Sequence, residues 1–192
     1  MKRIKLLVLA LVVMTGYNCK EVKKEAKEAK EEVTEEIMEV ENVEVISFAM
    51  QPKSNSNVKG DVTFTQEDGQ VTMNATFSGL TPGEHAIHLH EKADCSSDDG
   101  TSTGGHWNPT HEPHGKWLAP EGYHKGDIGN FIADDAGNGT LTFSTDQWCI
   151  GCDDENMNIT GKAVIVHQGV DDFVSQPSGD AGARISCTGI IQ

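Results

Sequence analysis

Between Val71 and Phe77 apolar and polar residues alternate without a break: Val71, Met73, Ala75 and Phe77 against Thr72, Asn74 and Thr76. Successive side chains of a strand point to opposite faces, so this period of two predicts a half-buried strand. Val58 to Thr65, Thr140 to Ser144 and Ala163 to Val166 are further short runs of strand-forming composition. Turn-forming clusters lie between them: Glu67-Asp68-Gly69, Thr81-Pro82-Gly83, and Asp134-Asp135-Ala136-Gly137-Asn138-Gly139. Beyond the first 45 residues no window carries a sustained apolar stripe at 3.6-residue spacing. Short strands without helices to make parallel crossovers predict an all-β domain, an antiparallel sandwich or barrel.

The amino-terminal residues obey a different pattern. Lys2, Arg3 and Lys5 precede an apolar run from Leu6 to Met14. A bilayer span needs about 20 apolar residues, so this shorter run predicts a signal peptide over residues 1–18. Thr15-Gly16-Tyr17-Asn18-Cys19 closes it, a layout that resembles a bacterial lipoprotein signal with Cys19 as the lipidated residue. Residues 19–45 follow as a tether, with Lys and Glu in excess and no Gly, Pro or aromatic side chain after Cys19. Apolar positions there are too sparse to face a core, which predicts a solvated spacer. The domain proper runs from 46 to 192. The expected location is the cell envelope, in the periplasm or on the surface, with membrane contact only through the anchor.

Charge narrows the class of partner. The chain carries a net charge of −15, and the domain alone has 20 acidic and 7 basic residues. That balance argues against a nucleic-acid backbone as ligand. One segment has no strand pattern: from about Glu91 to Asn130 the chain is rich in His, Gly, Pro and Asp. Loops this long in a compact domain usually carry function. Seven of the eight histidines fall between His85 and His124, and the eighth is His167. His88 and His90 are two apart, so on an extended strand both rings project from one face. Such a pair suits several transition metals and selects none of them. The loop adds His106, His111, His114, His124 and Asp127, and three imidazoles with one carboxylate make a closed four-coordinate set of the kind zinc accepts.

These residues carry a family resemblance. Gly83-Glu84-His85-Ala86-Ile87-His88-Leu89-His90-Glu91 resembles the copper-binding strand of copper–zinc superoxide dismutases. Gly105-His106-Trp107-Asn108-Pro109, His114-Gly115 and His124-Lys125-Gly126-Asp127-Ile128-Gly129-Asn130 resemble the bridging and zinc segment. Val166-His167 and Gly179-Asp180-Ala181-Gly182-Ala183-Arg184-Ile185-Ser186-Cys187 resemble the last copper ligand and the carboxy-terminal signature. The resemblance spans about Val43 to Gln192. It implies a Greek-key antiparallel β-barrel or sandwich with long metal-binding loops. It implies copper held by His88, His90, His106 and His167, and zinc held by His106, His114, His124 and Asp127, with His106 shared. Asp171 takes the place of a carboxylate that links a copper-ligand and a zinc-ligand histidine, here His88 and His114. His85 is expected to be structural and His111 a solvated loop residue.

The implied activity is dismutation of superoxide by copper redox cycling, with His106 and Arg184 in the catalytic site. Arg184 is the implied anion guide. Gln168-Gly169 stands in a region where the family commonly has a lysine. The resemblance also allows a homodimer, and it implies a disulfide between Cys95 and Cys187. With Cys19 given to lipid, Cys149 and Cys152 remain. Cys-x-x-Cys can be a redox motif, half of a zinc site or a small-loop disulfide. No thioredoxin-like context is present and the histidines are already assigned, so a Cys149–Cys152 disulfide is expected. Two other readings compete. A zinc hydrolase of the His-x-His-x-Asp type needs Asp at position 92, which is Lys. A non-enzymatic copper- or zinc-binding envelope lipoprotein on the same fold would keep every ligand.

Overall fold

A computed structural model of the chain describes residues 43–191. The predicted signal peptide, Cys19 and the tether as far as residue 42 lie outside the described residues. Eight strands form, β1 (Glu44–Pro52), β2 (Lys59–Glu67), β3 (Gln70–Ser78), β4 (Gly83–His90), β5 (Gly129–Ala133), β6 (Gly139–Thr145), β7 (Ala163–His167) and β8 (Arg184–Gly189). Among the described residues the only helical element is a single 3-10 turn, Thr101–Thr103. The strands close into a barrel in the order β1-β2-β3-β6-β5-β4-β7-β8, every neighbouring pair antiparallel. The chain therefore leaves β3 and passes β6 and β5 before it enters β4, as expected of a Greek key. Closure removes free sheet edges.

The strand read from alternation and the three read from composition are present, with ends moved by at most two residues. β3 buries Val71, Met73, Ala75 and Phe77 and leaves the intervening residues outside. With Val62 and Phe64 of β2 and Trp148 beyond β6, they fill the barrel interior. Each such side chain contributes roughly 1.5–3 kcal/mol by leaving water. β1 begins at Glu44, two residues before the expected start of the domain, and the long loop ends at Gly129 as β5 begins.

β4 and β7 differ from the others because both of their faces are covered. From His85 to His90, and along all of Ala163–His167, every residue is buried. Ile87, Leu89, Val164 and Val166 point into the barrel core. The opposite face holds His88, His90 and Ile165 beneath the long loops. That outer face of two paired strands, with His88 opposite Ile165 and His90 opposite Ala163, is the floor of the candidate site.

Candidate metal centre

Three local features bring the remaining histidines to this floor. His106 forms an isolated antiparallel bridge with His90, and Trp107 N donates to Leu89 O at 2.8 Å. A register shift between Val166 and His167 in the β7–β8 pairing re-aims His167 at the strand end. Gly126 lies directly against the Leu89 carbonyl and donates to Trp107 O at 2.9 Å; a Cβ there would collide with backbone. Only glycine lets the segment carrying His124 and Asp127 come this close to β4.

Two buried clusters result. His88, His90, His106 and His167 offer one ring nitrogen each, all within 4.8 Å of one another, and so do the ligand atoms of His106, His114, His124 and Asp127. These are the two sets read from the sequence, and His106 belongs to both. Its ring lies 3.9 Å from that of His88, centroid to centroid.

The second nitrogen of most of these rings is tied down. His90 Nδ1 bonds Gly104 O at 3.0 Å and His167 Nδ1 bonds Gly182 O at 3.2 Å. Asp171 takes His88 Nε2 at 2.8 Å on one oxygen and His114 Nε2 at 2.9 Å on the other. Partners of this kind fix the tautomer and aim the free nitrogen inward. The inward atoms His88 Nδ1 and His106 Nε2 are buried without a hydrogen bond, and His114 Nδ1 and His124 Nδ1 face Asp127 at 3.0 and 3.2 Å. Buried polar atoms left unpaired cost about 1–3 kcal/mol each, and here the His88 and His106 nitrogens have no partner while three rings crowd one carboxylate, the donor arrangement of a cation site. The donor sets fit: three imidazoles and a carboxylate for zinc, four imidazoles for copper.

Titration follows the same geometry. Burial drives His106 down to about 4, against the pull of its 2.8 Å bond to Asp127. Burial, then the neighbouring rings of His106 and His167 and the Arg184 charge, hold His90 well below its ordinary value. His167 is depressed in the same direction by burial first and the ring of His88 next. His114 is opposite: burial lowers it, but Asp127 and Asp171 together outweigh that and raise it to about 9. Asp127 and Asp171 stay far below the usual carboxylate range; burial opposes this, and the bonds from the surrounding histidines prevail.

Other expected residues are placed as follows. His85 is buried, with Nδ1 on His167 O at 2.9 Å and Nε2 on Thr81 O at 2.8 Å, a structural role. His111 is an exposed loop residue. Arg184 directs Nη1 to Gly100 O at 2.8 Å and to Thr103 Oγ1 at 2.9 Å, and pairs with His167 across β7–β8. Both expected disulfides, Cys95–Cys187 and Cys149–Cys152, are present.

Supporting residues escaped sequence reasoning. Asn130 brackets the Asp171 backbone, accepting its N–H at 2.8 Å and donating to its carbonyl at 2.9 Å. Gln176 does the same for His114, with bonds of 2.9 and 2.8 Å. Gly179 has φ 67° and closes over Asp171, where a side chain would strike both Asp171 and His114. Asn130 and Gly179 stand inside the segments that carry the resemblance, with no role attached to them there, and Gln176 has no sequence signal beyond its place in a loop near the ligands.

A model of the copper/zinc superoxide dismutase family matches residues 58–191. The chain belongs to the copper/zinc superoxide dismutase family. It is 40% identical over 147 residues to superoxide dismutase [Cu-Zn] 2 of Brassica juncea, a match covering 72% of this chain and 91% of that protein. Among solved structures, a SOD-like protein from Bacillus subtilis superposes with a TM-score of 0.67 at 27% identity, covering 76% of this chain and 97% of its own. The clock protein EA4 superposes with a TM-score of 0.64 at 34% identity, covering 77% and 94%. Copper and zinc are the metals of this family, and the chain is an oxidoreductase acting on superoxide.

Proposed function

We propose that this domain binds copper through His88, His90, His106 and His167, binds zinc through His106, His114, His124 and Asp127, and dismutes superoxide outside the cytoplasm. The observation that carries the assignment is the convergence of buried ligand atoms into two clusters that share the His106 ring. Copper, when bound, supplies the one-electron couple by which one superoxide is oxidised to dioxygen and another is reduced to hydrogen peroxide with two protons.

The residues of the chain perform the rest. Asp171 holds His88 and His114 in one orientation, so the two clusters move as a unit. His106 Nδ1 lies 2.8 Å from Asp127 and gives up its proton when zinc is bound there, which leaves Nε2 as the atom of the ring able to take up and release a proton. Arg184, fixed by Gly100 and Thr103, presents a permanent positive charge beside His90 and His167 and draws the anion in. The signal sequence and Cys19 support export and anchoring, which would set the enzyme against superoxide in the cell envelope.

Superoxide decay followed after pulse generation, with the metal-loaded mature chain, tests the reading. Fast decay together with one copper and one zinc per chain is the expected result. Both metals bound without accelerated decay would instead establish the metal-binding lipoprotein alternative. The mass of the membrane-extracted mature chain tests lipid at Cys19.

A further inference from the structure

The connection from β6 to β7 contains the one motif the dismutase reading leaves unused, Cys149-Ile150-Gly151-Cys152. Immediately before it stand Gln147 and Trp148, and both reach into the zinc segment. Gln147 Oε1 accepts from Tyr123 Oη at 2.8 Å and from Lys125 Nζ. Trp148 Nε1 donates to Lys125 O at 2.9 Å. Tyr123 and Lys125 are the two chain neighbours of His124. The ligand is therefore gripped on both sides by one dipeptide from another loop.

That dipeptide is itself firmly placed. Trp148 is 1% exposed, with ring centroids 5.0 Å from Phe143, 6.0 Å from Trp117 and 6.4 Å from Phe64. Trp117 in turn packs on Tyr123 at 4.9 Å. Next in the chain, Cys149 is bonded to Cys152, and its backbone pairs with Met157 O at 2.8 Å and Ile159 N at 3.0 Å. Ile150 N reaches back to Gln66 Oε1 of β2 at 2.7 Å. The grip on His124 thus leads through Gln147 and Trp148 to the disulfide loop and the barrel wall. His114 has its own anchors in Gln176 and Asp171, and His106 is held by its bridge to β4, so each histidine of the set is fixed from a different part of the fold.

We propose that Gln147 and Trp148 are positioning residues for His124 and set the zinc affinity of this chain. The inference rests on the reading of His124 as a zinc ligand. Removing partners that orient a ligand typically weakens metal binding 10–100-fold. Zinc affinity of the mature chain, measured by competition with a chromophoric chelator, tests it. Gln147→Ala and Trp148→Phe should each weaken zinc at least 10-fold, while Gln147→Glu, which keeps the acceptor, should retain the wild-type affinity to within about threefold. Copper content should not change in any of them. Cobalt(II) in place of zinc should show an altered visible spectrum in Gln147→Ala. His124→Ala separates the two levels of argument: tight zinc in that variant would remove the ligand assignment itself. Loss of zinc from His124→Ala with wild-type affinity in Gln147→Ala would overturn the positioning role, as would a Gln147→Ala variant that loses metal-free stability alone. Should Trp148→Phe fail to fold, the two Gln147 variants decide.

Discussion

The two disulfides close loops of very different length, and their removal should separate accordingly. Cys95 and Cys187 are 92 residues apart, Cys149 and Cys152 only 3. In the chain-entropy relation the longer bridge stabilises by about 4.6 kcal/mol and the shorter by about 1.6 kcal/mol, so the two should differ by roughly 3 kcal/mol. Native contacts do not reverse this order. Lys53 Nζ still binds the Cys95 and Ser97 carbonyls without the long bridge, and Ser54 N still binds Asp98 O. The Cys149 backbone keeps its bonds to Met157 and Ile159 without the short one. Paired serine variants of each bridge should be compared with the parent by urea unfolding of the metal-free protein. With a slope of about 2 kcal/mol per molar, the long-bridge variant should unfold about 1.5 M earlier than the short-bridge variant. Equal midpoints, or the short-bridge variant unfolding first, would refute the entropic argument. The same long-bridge variant should also lose catalytic rate while it keeps copper, because Gly100 and Thr103, which aim Arg184, lie on the loop the bridge ties down.

Three further outcomes are expected. His106→Ala should abolish activity and disturb both metals, since that ring belongs to both clusters; full zinc retention with near-normal turnover in a metal-loaded assay would contradict a shared ligand. Arg184→Glu should lower the rate with superoxide at least 10-fold with copper content unchanged, and the wild-type rate should fall as salt rises; a rate indifferent to both would exclude Arg184 from guidance. In the metal-free protein His114 is raised to about 9, so its contribution to stability is complete below about pH 6.5 and is lost as pH climbs through about 9. Zinc needs the neutral ring, so binding at pH 7.5 should release about one proton from His114 and at pH 9 about half of one. Titration calorimetry in buffers of different ionisation heat counts those protons, and none released at pH 7.5 would refute the assignment.

Legibility in the sequence followed burial. β3 announced itself because one face is wet and the other dry, and so did β2 and β6. β7 was visible only as an apolar run, and β4 only through its histidines, because both faces of each are covered and alternation disappears. β1 does alternate, at Ile46, Phe48 and Met50, but follows directly on the charged spacer, while β5 and β8 carry no pattern that separates them from loop. The ligands emerged in two steps: spacing and residue type suggested metals, and only the family resemblance sorted them into copper and zinc sets. Asn130, Gln147, Trp148 and Gln176 stayed hidden for a physical reason. Each acts through bonds spanning 22 to 62 residues of chain, and polar side chains that bond distant groups leave no local periodicity.

The charge of the domain and the charge of its substrate have the same sign, and geometry resolves the conflict. With 20 acidic residues against 7 basic, the distant field repels an anion. At physiological ionic strength that field is screened over about 8 Å, so charges on the far side of the barrel are silent at the copper floor. What acts there is what lies within that range. Arg184 is half-buried, which pulls its guanidinium below its ordinary value without discharging it, and buried charge is screened less than exposed charge. The nearest opposition is Asp99, exposed and held at about 2 by bonds from the Thr101 side chain and backbone, so it is always ionised. It belongs to the same loop whose Gly100 carbonyl positions Arg184. Attraction at the mouth is thus the difference between the Arg184 cation at the start of β8 and the Asp99 anion on the disulfide-tied loop that positions it. On the proposed mechanism, the conformation of that loop, more than the net charge of the protein, sets how often superoxide reaches the histidines.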